Sequence, residues 1–568
     1  MPRTSHAYLE NPVIKEGLFW AGSFILLTAG WWAPRLQQIS GHSSFITIDS
    51  AVLAGSGLLF ARLCQWILPA GIVSAAENFG RWTGRNLIWI APLFFAAFLA
   101  GLMLVNRAVL HSFMNSADEH SCLFLAECLR RGRLFVEPHP MSEFFNVVHV
   151  GNRDGKWFSV YPPGWPLIWA AGRTFRVEDW LNPVMACIAT FFFYLSGKRV
   201  FGKTAALTGL FLAAVSPFFM FTSASYFSHT TCLLAISVFI YAFLRWMELR
   251  DAGKGGEAWA ALAAFAAGYG MNTRYLTMAA IVAPFLIWHA LRLIRRRTAW
   301  QKSDTVFASV FGFLFILIFL HNFAVTGKFH KAPNKYDKSW ERLGFRDDYT
   351  PLDAVVFIVT RFFYLADWLA PAIIGLFLAS SGLKSSLPMP ARLVRWGFWY
   401  PVLAYTLYFS WGGNQYGPRY YYEGIPLLGL AVGAGLRDRW LKGPAGGRKF
   451  LLGLIIFSLF NNGYLFYKQG LIFEKVSVQR KALYVLAENE AQRPAVVFIK
   501  GFIGQELIMT EDDSIRNGPF LDAGVLYARD LGDGRDQELM RLHFPGRTAY
   551  RGTFDRQNLK AKLEKISG

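Results

Sequence analysis

Two adjacent carboxylates, Asp118 and Glu119, stand in the run Asn115-Ser116-Ala117-Asp118-Glu119-His120, just past a strongly apolar stretch. A carboxylate so placed can take the proton of an attacking hydroxyl, which is the work of a general base. The same residues also read as helix punctuation. Ser116-x-x-Glu119 is a capping box, and acidic side chains suit a helix N-terminus. The two readings are compatible, because a helix N-terminus favours the ionised form that a base requires.

Further along comes Asp154-Gly155-Lys156-Trp157-Phe158-Ser159-Val160-Tyr161-Pro162-Pro163-Gly164-Trp165-Pro166. Its prolines interrupt any helix, and its aromatic residues suit a lipid headgroup layer. It reads as an interfacial, re-entrant anchor in which Lys156 can meet a lipid phosphate. Other polar groups gather at 223–229, at Asn272-Thr273-Arg274-Tyr275, at His321-Asn322 and in the run 411–423, which contains Tyr416-Gly417-Pro418-Arg419-Tyr420-Tyr421-Tyr422-Glu423. Arg274 and Arg419 suit an oxygen-rich phosphate, since guanidinium offers paired charge-assisted donors. The alternative for each is snorkelling to the membrane interface.

The elements that must position these groups are set by composition. Hydrophobic residues make up 54% of the 568 and charged residues 17%, against roughly 25% charged in a soluble domain. The stretches 91–104, 305–320 and 450–460 are nearly free of charge, and with their flanks each reaches the ~20 residues a spanning helix needs. Continuous apolar runs without period-2 alternation select helices over a barrel. The expected fold class is all-α and polytopic. Spans are expected at 17–33, 51–74, 87–109, 181–197, 204–221, 230–246, 258–274, 276–291, 305–325, 353–379, 396–411, 425–437 and 450–467.

The formal charge of +20 suggests nucleic acid less than it suggests basic cytoplasmic loops, and no nucleic-acid partner is expected. With the N-terminus inside, the inner loops hold Lys198, Arg199 and Lys203, Arg295 to Arg297, and Arg437, Arg439, Lys442, Arg448 and Lys449. The loops near 222–229 and 275 carry almost no positive charge, so the alternation holds. An odd span count then puts the C-terminal tail outside. The apolar stretch 17–32 lacks a small-residue cleavage site and reads as a signal-anchor. The five cysteines are scattered without metal-type spacing. Cys122 and Cys128 lie about 9 Å apart in rise along one helix, too far for a disulfide.

Three segments lie outside the membrane in this reading: a long outer loop over 110–180, the Lys-, Asp- and Tyr-rich stretch 326–352, and the tail from about 473. In the tail, short apolar runs at 495–499 and 524–527 predict strands, and 537–543 predicts a helical turn or two. The expected organisation is an extra N-terminal helix pair over 1–86, a membrane catalytic module over 87–470, and a small α/β extracytoplasmic domain over 473–568.

From about residue 108 to 422 the sequence resembles the C-type (GT-C) glycosyltransferases. These are polytopic enzymes with polyprenyl-phosphate sugar donors, and the match is to the bacterial branch related to protein O-mannosyltransferases and the lipid A aminoarabinose transferase. The resemblance rests on Asp118-Glu119 followed by Ala126 and Gly132-Arg133-Leu134, then on Lys156-Trp157-Phe158-Ser159 leading into Tyr161-Pro162-Pro163-Gly164-Trp165-Pro166. Ser216-Pro217-Phe218 and Tyr416-Gly417-Pro418-Arg419-Tyr420-Tyr421 extend it. It implies a large first extracytoplasmic loop and inverting sugar transfer at the outer face of a bacterial inner membrane. Asp118 matches the family's base and Glu119 its acidic partner. Donor-phosphate and substrate contacts are expected at Lys156, Tyr161, Arg274, Tyr416, Arg419 and Tyr420, with Lys156, Arg274 and Arg419 assigned on side and chemistry. The two spans before the acidic loop depart from the commonest layout, in which that loop follows the first helix.

The expected partners are a polyprenyl-phosphate sugar, a lipid, glycan or protein acceptor, and membrane lipids. A phosphate leaving group held by cationic side chains needs no metal, so none is expected; His120, His139 and His149 share the loop and leave a divalent ion as the alternative. Two other functions compete: a flippase for lipid-linked glycans, and a scaffold whose tail recruits a partner. The polar groups gather at one face rather than at mid-membrane, which favours surface chemistry over transport.

Overall fold

The structure is a computed structural model that describes residues 48–295, 298–334, 343–346, 349–371, 373–375, 387–409, 415–500, 515–555 and 560–566. The expected span 17–33, Arg296 and Arg297, and residues 411–414 of the late motif lie outside them. The helices in chain order are α1 (Ile48–Ile67), α2 (Gly71–Arg85), α3 (Leu87–Leu104), α4 (Ala117–Arg130), α5 (Gly164–Phe175), α6 (Glu178–Phe201), α7 (Lys203–Ala214), α8 (Pro217–Ala224), α9 (His229–Asp251), α10 (Glu257–Ile294), α11 (Lys302–Thr326), α12 (Pro351–Ala366), α13 (Met389–Trp396), α14 (Trp399–Ala404), α15 (Ile425–Lys442), α16 (Ala445–Glu490) and α17 (Asp533–His543).

Among the described residues, six helices are long and apolar enough to cross a membrane, or eight if two bent pairs each form one span. Thirteen spans were expected, and several of the expected stretches depart from a simple crossing. The stretch 204–221 breaks by 68° between α7 and α8, where Pro217 removes an N–H donor and Ser216 caps the new helix. The stretch 396–411 breaks into α14 and a 3-10 turn over Tyr405–Leu407. The expected spans 258–274 and 276–291 are the two arms of α10, joined at Arg274, whose φ of −146° and ψ of 82° are not helical. Gly270 and Met278 would stand ~12 Å apart along a straight helix. Instead, the Met278 sulfur is 2.5 Å from where a Gly270 Cβ would be. The chain therefore folds back sharply at Arg274.

Helices in hydrocarbon are held by close packing rather than by hydrophobic transfer, which rewards small residues at the seams. α15 carries Gly429 and Gly433, one turn apart, and both meet α7 backbone to backbone. A Cβ on Gly429 would strike Gly209 and Ala213, and one on Gly433 would strike the Ala205 carbonyl. The N-terminal end of α15 thereby holds the 3-10 segment Arg419–Gly424 in place.

At 46 residues α16 is about 69 Å long, twice the ~30 Å of hydrocarbon. The expected boundary at 470–473 falls inside this helix. The strands are β1 (Val150–Arg153), β2 (Lys156–Ser159), β3 (Ala495–Ile499), β4 (Val525–Arg529), β5 (Thr548–Asp555) and β6 (Lys560–Lys565). β1 and β2 form a hairpin in the loop between α4 and α5, with Val150 opposite Ser159. After α16 comes a four-stranded sheet in the order β4-β3-β5-β6, with β3 parallel to both neighbours and β6 antiparallel to β5. This sheet is not packed on itself alone. Phe124 of α4 and Phe144, Phe145 and Trp157 of the loop share one apolar core with Leu483, Val496, Phe498 and Leu526.

Candidate functional site

The site is built around the first turn of α4. The Ser116 hydroxyl accepts the Asp118 N–H at 3.2 Å, and Glu119 accepts the Ser116 N–H at 3.0 Å, so the capping box forms. With the turn so fixed, Asp118 projects toward three groups from distant segments. Arg419 donates to its Oδ2 at 2.8 Å, His149 Nε2 lies 3.3 Å from Oδ1, and the Tyr161 hydroxyl donates to Oδ1. Partial burial alone would raise its pKa, but Arg419, His149 and Tyr161 outweigh it and hold the carboxyl well below the usual range. The side chain remains 19% exposed, so a hydroxyl from outside can reach it.

Glu119 is fully enclosed. Its second oxygen accepts the Tyr226 N–H at 2.8 Å. Burial pushes its pKa up to about 7 against the pull of that bond and of Arg419. Glu119 therefore couples α4 to the segment between α8 and α9. That segment is also held by Asn182, which donates to the carbonyls of Ser225 and Phe227 at 2.5 and 3.0 Å. The Phe227 ring lies under the Arg419 guanidinium at 4.0 Å, an arrangement that fixes the cation and leaves its edge to anions.

A second charged cluster adjoins the first. Glu423, fully buried, meets Arg274 at 3.1 Å and His229 Nδ1 at 3.0 Å. Arg274 also donates to Ser228 at 3.4 Å and remains 15% exposed. The bend that presents it rests on the proline turn: the Tyr269 hydroxyl donates to the Gly164 carbonyl at 2.6 Å, and a Cβ on Gly164 would strike Thr273. Tyr420 stacks on Tyr405 with ring centres 4.3 Å apart, and Tyr405 hydrogen-bonds Thr277 at 2.7 Å. Arg361, buried in the expected span 353–379, supports the same layer, donating to the Tyr405 carbonyl at 3.3 Å.

The structure thus brings together Asp118, Glu119, Tyr161, Arg274, Arg419 and Tyr420. Lys156 stands apart, and Tyr416 lies behind the site, packed on the Phe227 ring that carries Arg419. The Lys156 ammonium donates to the carbonyls of Ala324 and Val325 at 2.9 and 3.2 Å, closing the C-terminus of α11. Tyr416 is fully buried among Phe221, Phe227, Trp368 and Phe473 and takes a left-handed φ of 61°. His149 and Glu423 are the partners whose roles the sequence did not reveal. His149 stood in the sequence as a loop histidine and Glu423 at the end of a polar run, but a counter-ion 31 residues from the first and 149 from the second leaves no local pattern.

The three loop histidines diverge. His120 Nε2 donates to the Asn517 carbonyl at 3.2 Å, His139 packs 4.5 Å from His543, and His149 faces Asp118. Among the described residues no three His, Cys, Asp or Glu side chains group as metal ligands.

Residues 172–321 match the family of dolichyl-phosphate-mannose-protein mannosyltransferases. The match includes Arg274 and the 225–229 segment but neither Asp118 nor Arg419. No curated protein matches the chain. ArnT from Cupriavidus metallidurans bound to undecaprenyl phosphate has a TM-score of 0.50 at 12% identity, covering 85% of this chain and 98% of that one. The apo oligosaccharyltransferase of Archaeoglobus fulgidus gives 0.44 at 13% identity, over 71% of this chain and 59% of its own. Arabinofuranosyltransferase AftD from Mycobacteria gives 0.41 at 14%, over 81% and 35%. The fold comparison rests on the first of these. In sequence over 172–321 and in fold along most of its length, the chain resembles the polytopic GT-C glycosyltransferases that use polyprenyl-phosphate-linked donors.

Proposed function

We propose that the chain is an inverting glycosyltransferase that moves a sugar from a polyprenyl-phosphate donor to a hydroxyl acceptor at the outer face of a bacterial inner membrane. One observation carries the reading: a partly open carboxylate at a helix N-terminus, Asp118, lies 2.8 Å from a partly open guanidinium, Arg419. A candidate base and a candidate phosphate ligand thereby share one site, into which the anomeric carbon would have to fit between them.

In the proposed step the acceptor oxygen attacks the anomeric carbon from the face opposite the phosphate. The C1–O bond to phosphate breaks, and the polyprenyl phosphate leaves with an added negative charge that Arg419 and Arg274 stabilise. Asp118 takes the acceptor proton, and its ionised state in the fold keeps it ready to do so. Tyr161 and His149 orient the carboxylate. Two guanidinium groups supply the positive charge, so the step uses no metal ion. The tail lies against the loop that carries the base and contributes to the acceptor side.

The test uses purified protein in lipid nanodiscs, offered a panel of undecaprenyl-phosphate-linked labelled sugars with envelope extract as acceptor. The wild type transfers label from one donor, and Asp118→Asn loses it by about 10²- to 10⁴-fold. Near-normal transfer by that variant excludes Asp118 as base. Movement of labelled lipid across vesicles without transfer would instead mark a flippase.

A further inference from the structure

The segment before α4 is a strap held in an unfavourable shape. His111 and Ser112 both adopt left-handed backbone, with φ of 53° and 47°. Non-glycine residues stay there only when their surroundings fix them. Part of the fixing is local: the Ser112 N–H donates to the Asn106 carbonyl at 2.9 Å, and its hydroxyl to the Asn106 side chain at 3.1 Å. Gln415 adds a bond to the Asn115 carbonyl at 3.0 Å, and the rest comes from the other end of the chain. Lys481 donates to the His111 carbonyl at 2.9 Å, Arg516 donates to the Met114 carbonyl, and Arg480 donates to the Asn115 carbonyl. The Asn115 side chain, fully buried, donates to Ser477 at 2.9 Å. One turn into α4, His120 donates to the Asn517 carbonyl, and the Asn517 side chain is locked on Tyr527 by two bonds of 2.7 and 2.9 Å.

We infer that Arg480 and Arg516 are positioning residues for the base, clamping the 111–116 strap so that Ser116 presents Asp118 to Arg419. This rests on the proposed role of Asp118 and adds a function for the tail: it sets catalytic geometry across more than 360 residues of sequence. The chemistry suits the task. A guanidinium on a carbonyl makes a charge-assisted bond of fixed direction, stronger than a neutral one. Ser116 sits at the end of the strap and fixes both carboxylates. Its hydroxyl lies 3.2 Å from Asp118 Oδ2, and its N–H binds Glu119. A strap released at Met114 and Asn115 lets that cap drift, and a misplacement of about 1 Å is enough to cost ~10²-fold in rate.

The experiment uses the full chain in nanodiscs with Arg480→Met and Arg516→Met, each beside its lysine counterpart. The readouts are kcat and KM for the undecaprenyl-phosphate sugar that the wild type consumes, and hydrogen exchange of amides 113–124. The methionine variants are expected to lose at least about tenfold in kcat with KM changed by less than about threefold. Exchange at 116–120 speeds up by about tenfold, and the lysine variants recover most of the loss. Wild-type kcat in folded methionine variants overturns the inference, as does a lower kcat without faster exchange. If a methionine variant does not fold, Lys481→Met releases the same strap at His111 and decides the question by exchange, which needs no substrate. The two proposals separate cleanly. Wild-type transfer by Asp118→Asn removes the base, whereas an inactive Asp118→Asn beside fully active clamp variants removes the clamp alone.

Discussion

Arg419 reaches across 301 residues of sequence to bind Asp118 Oδ2 at 2.8 Å, so the phosphate ligand and the base of the proposed reaction neutralise each other. The pair explains why Asp118 is ionised, and it also makes Asp118 a weak base. In the proposed step, a donor phosphate on Arg419 would loosen the pair and strengthen the carboxylate.

The first prediction follows from the sign of that coupling. Arg419 lowers the Asp118 pKa, so Arg419→Met lets it rise toward the ordinary carboxylate range. The acid edge of the kcat/KM profile then moves to higher pH by about a unit or more, and donor KM rises. An acid edge that stays in place would show that Arg419 does not control the ionisation of Asp118.

Glu119 gives a stability prediction. Burial raises its folded pKa to about 7, above the ordinary carboxylate range, so the fold favours the neutral acid. The stabilisation is fully present below the unfolded pKa and is lost as pH rises toward 7, by roughly 3 kcal/mol at most. Glu119→Gln stays neutral throughout. It costs stability below about pH 5, because its amide NH2 faces a backbone N–H that a carboxyl oxygen accepted. The difference between the two proteins must therefore shift in favour of the variant between pH 5 and pH 8. Thermal unfolding in detergent at both pH values measures it, and a difference that does not vary with pH sinks the assignment.

The capping box was legible in the sequence as one motif, because it depends on Ser116 and Glu119 within a single turn, and that turn also sets Asp118. The fold-back at Arg274 was legible as a polar tip between two apolar runs, and the run 495–499 and the residues from Val525 in the run 524–527 are strands because they are short and apolar. What could not be read is what joins distant segments. Nothing near Lys156 says that it closes α11, and nothing near Tyr416 says that four aromatic rings enclose it. The shared core of loop and sheet joins Phe124 and Trp157 to Phe498, and no local periodicity reports such a contact. The end of α16 was misplaced for a different reason: the helix continues past the membrane on polar residues, where hydropathy no longer marks it.

Metal dependence is the third prediction. The three histidines that shared the loop in sequence, His120, His139 and His149, diverge in space, and in the proposed step Arg274 and Arg419 supply the positive charge. Dialysis against EDTA should leave transfer within about twofold of the untreated rate, since no metal-bound charge is withdrawn from the leaving phosphate. A loss restored by Mg²⁺ or Mn²⁺ would require a metal in the step.

The last prediction concerns the scaffold beneath the site. Gly429 and Gly433 let α15 touch α7 backbone to backbone, and neither backbone can yield as a flexible side chain would. Gly429→Val forces the helices apart and should cost about 3 kcal/mol or more. Gly463→Ala on α16, where a Cβ meets nothing within 4 Å, should be neutral or stabilising by up to about 1 kcal/mol. Because Arg419 and Glu423 sit at the N-terminal end of α15, the destabilised variant should also lose donor binding, measured with undecaprenyl phosphate, before it unfolds. A Gly429→Val protein with wild-type melting and affinity would mean that the close seam does not hold the cationic half of the site in register with Asp118.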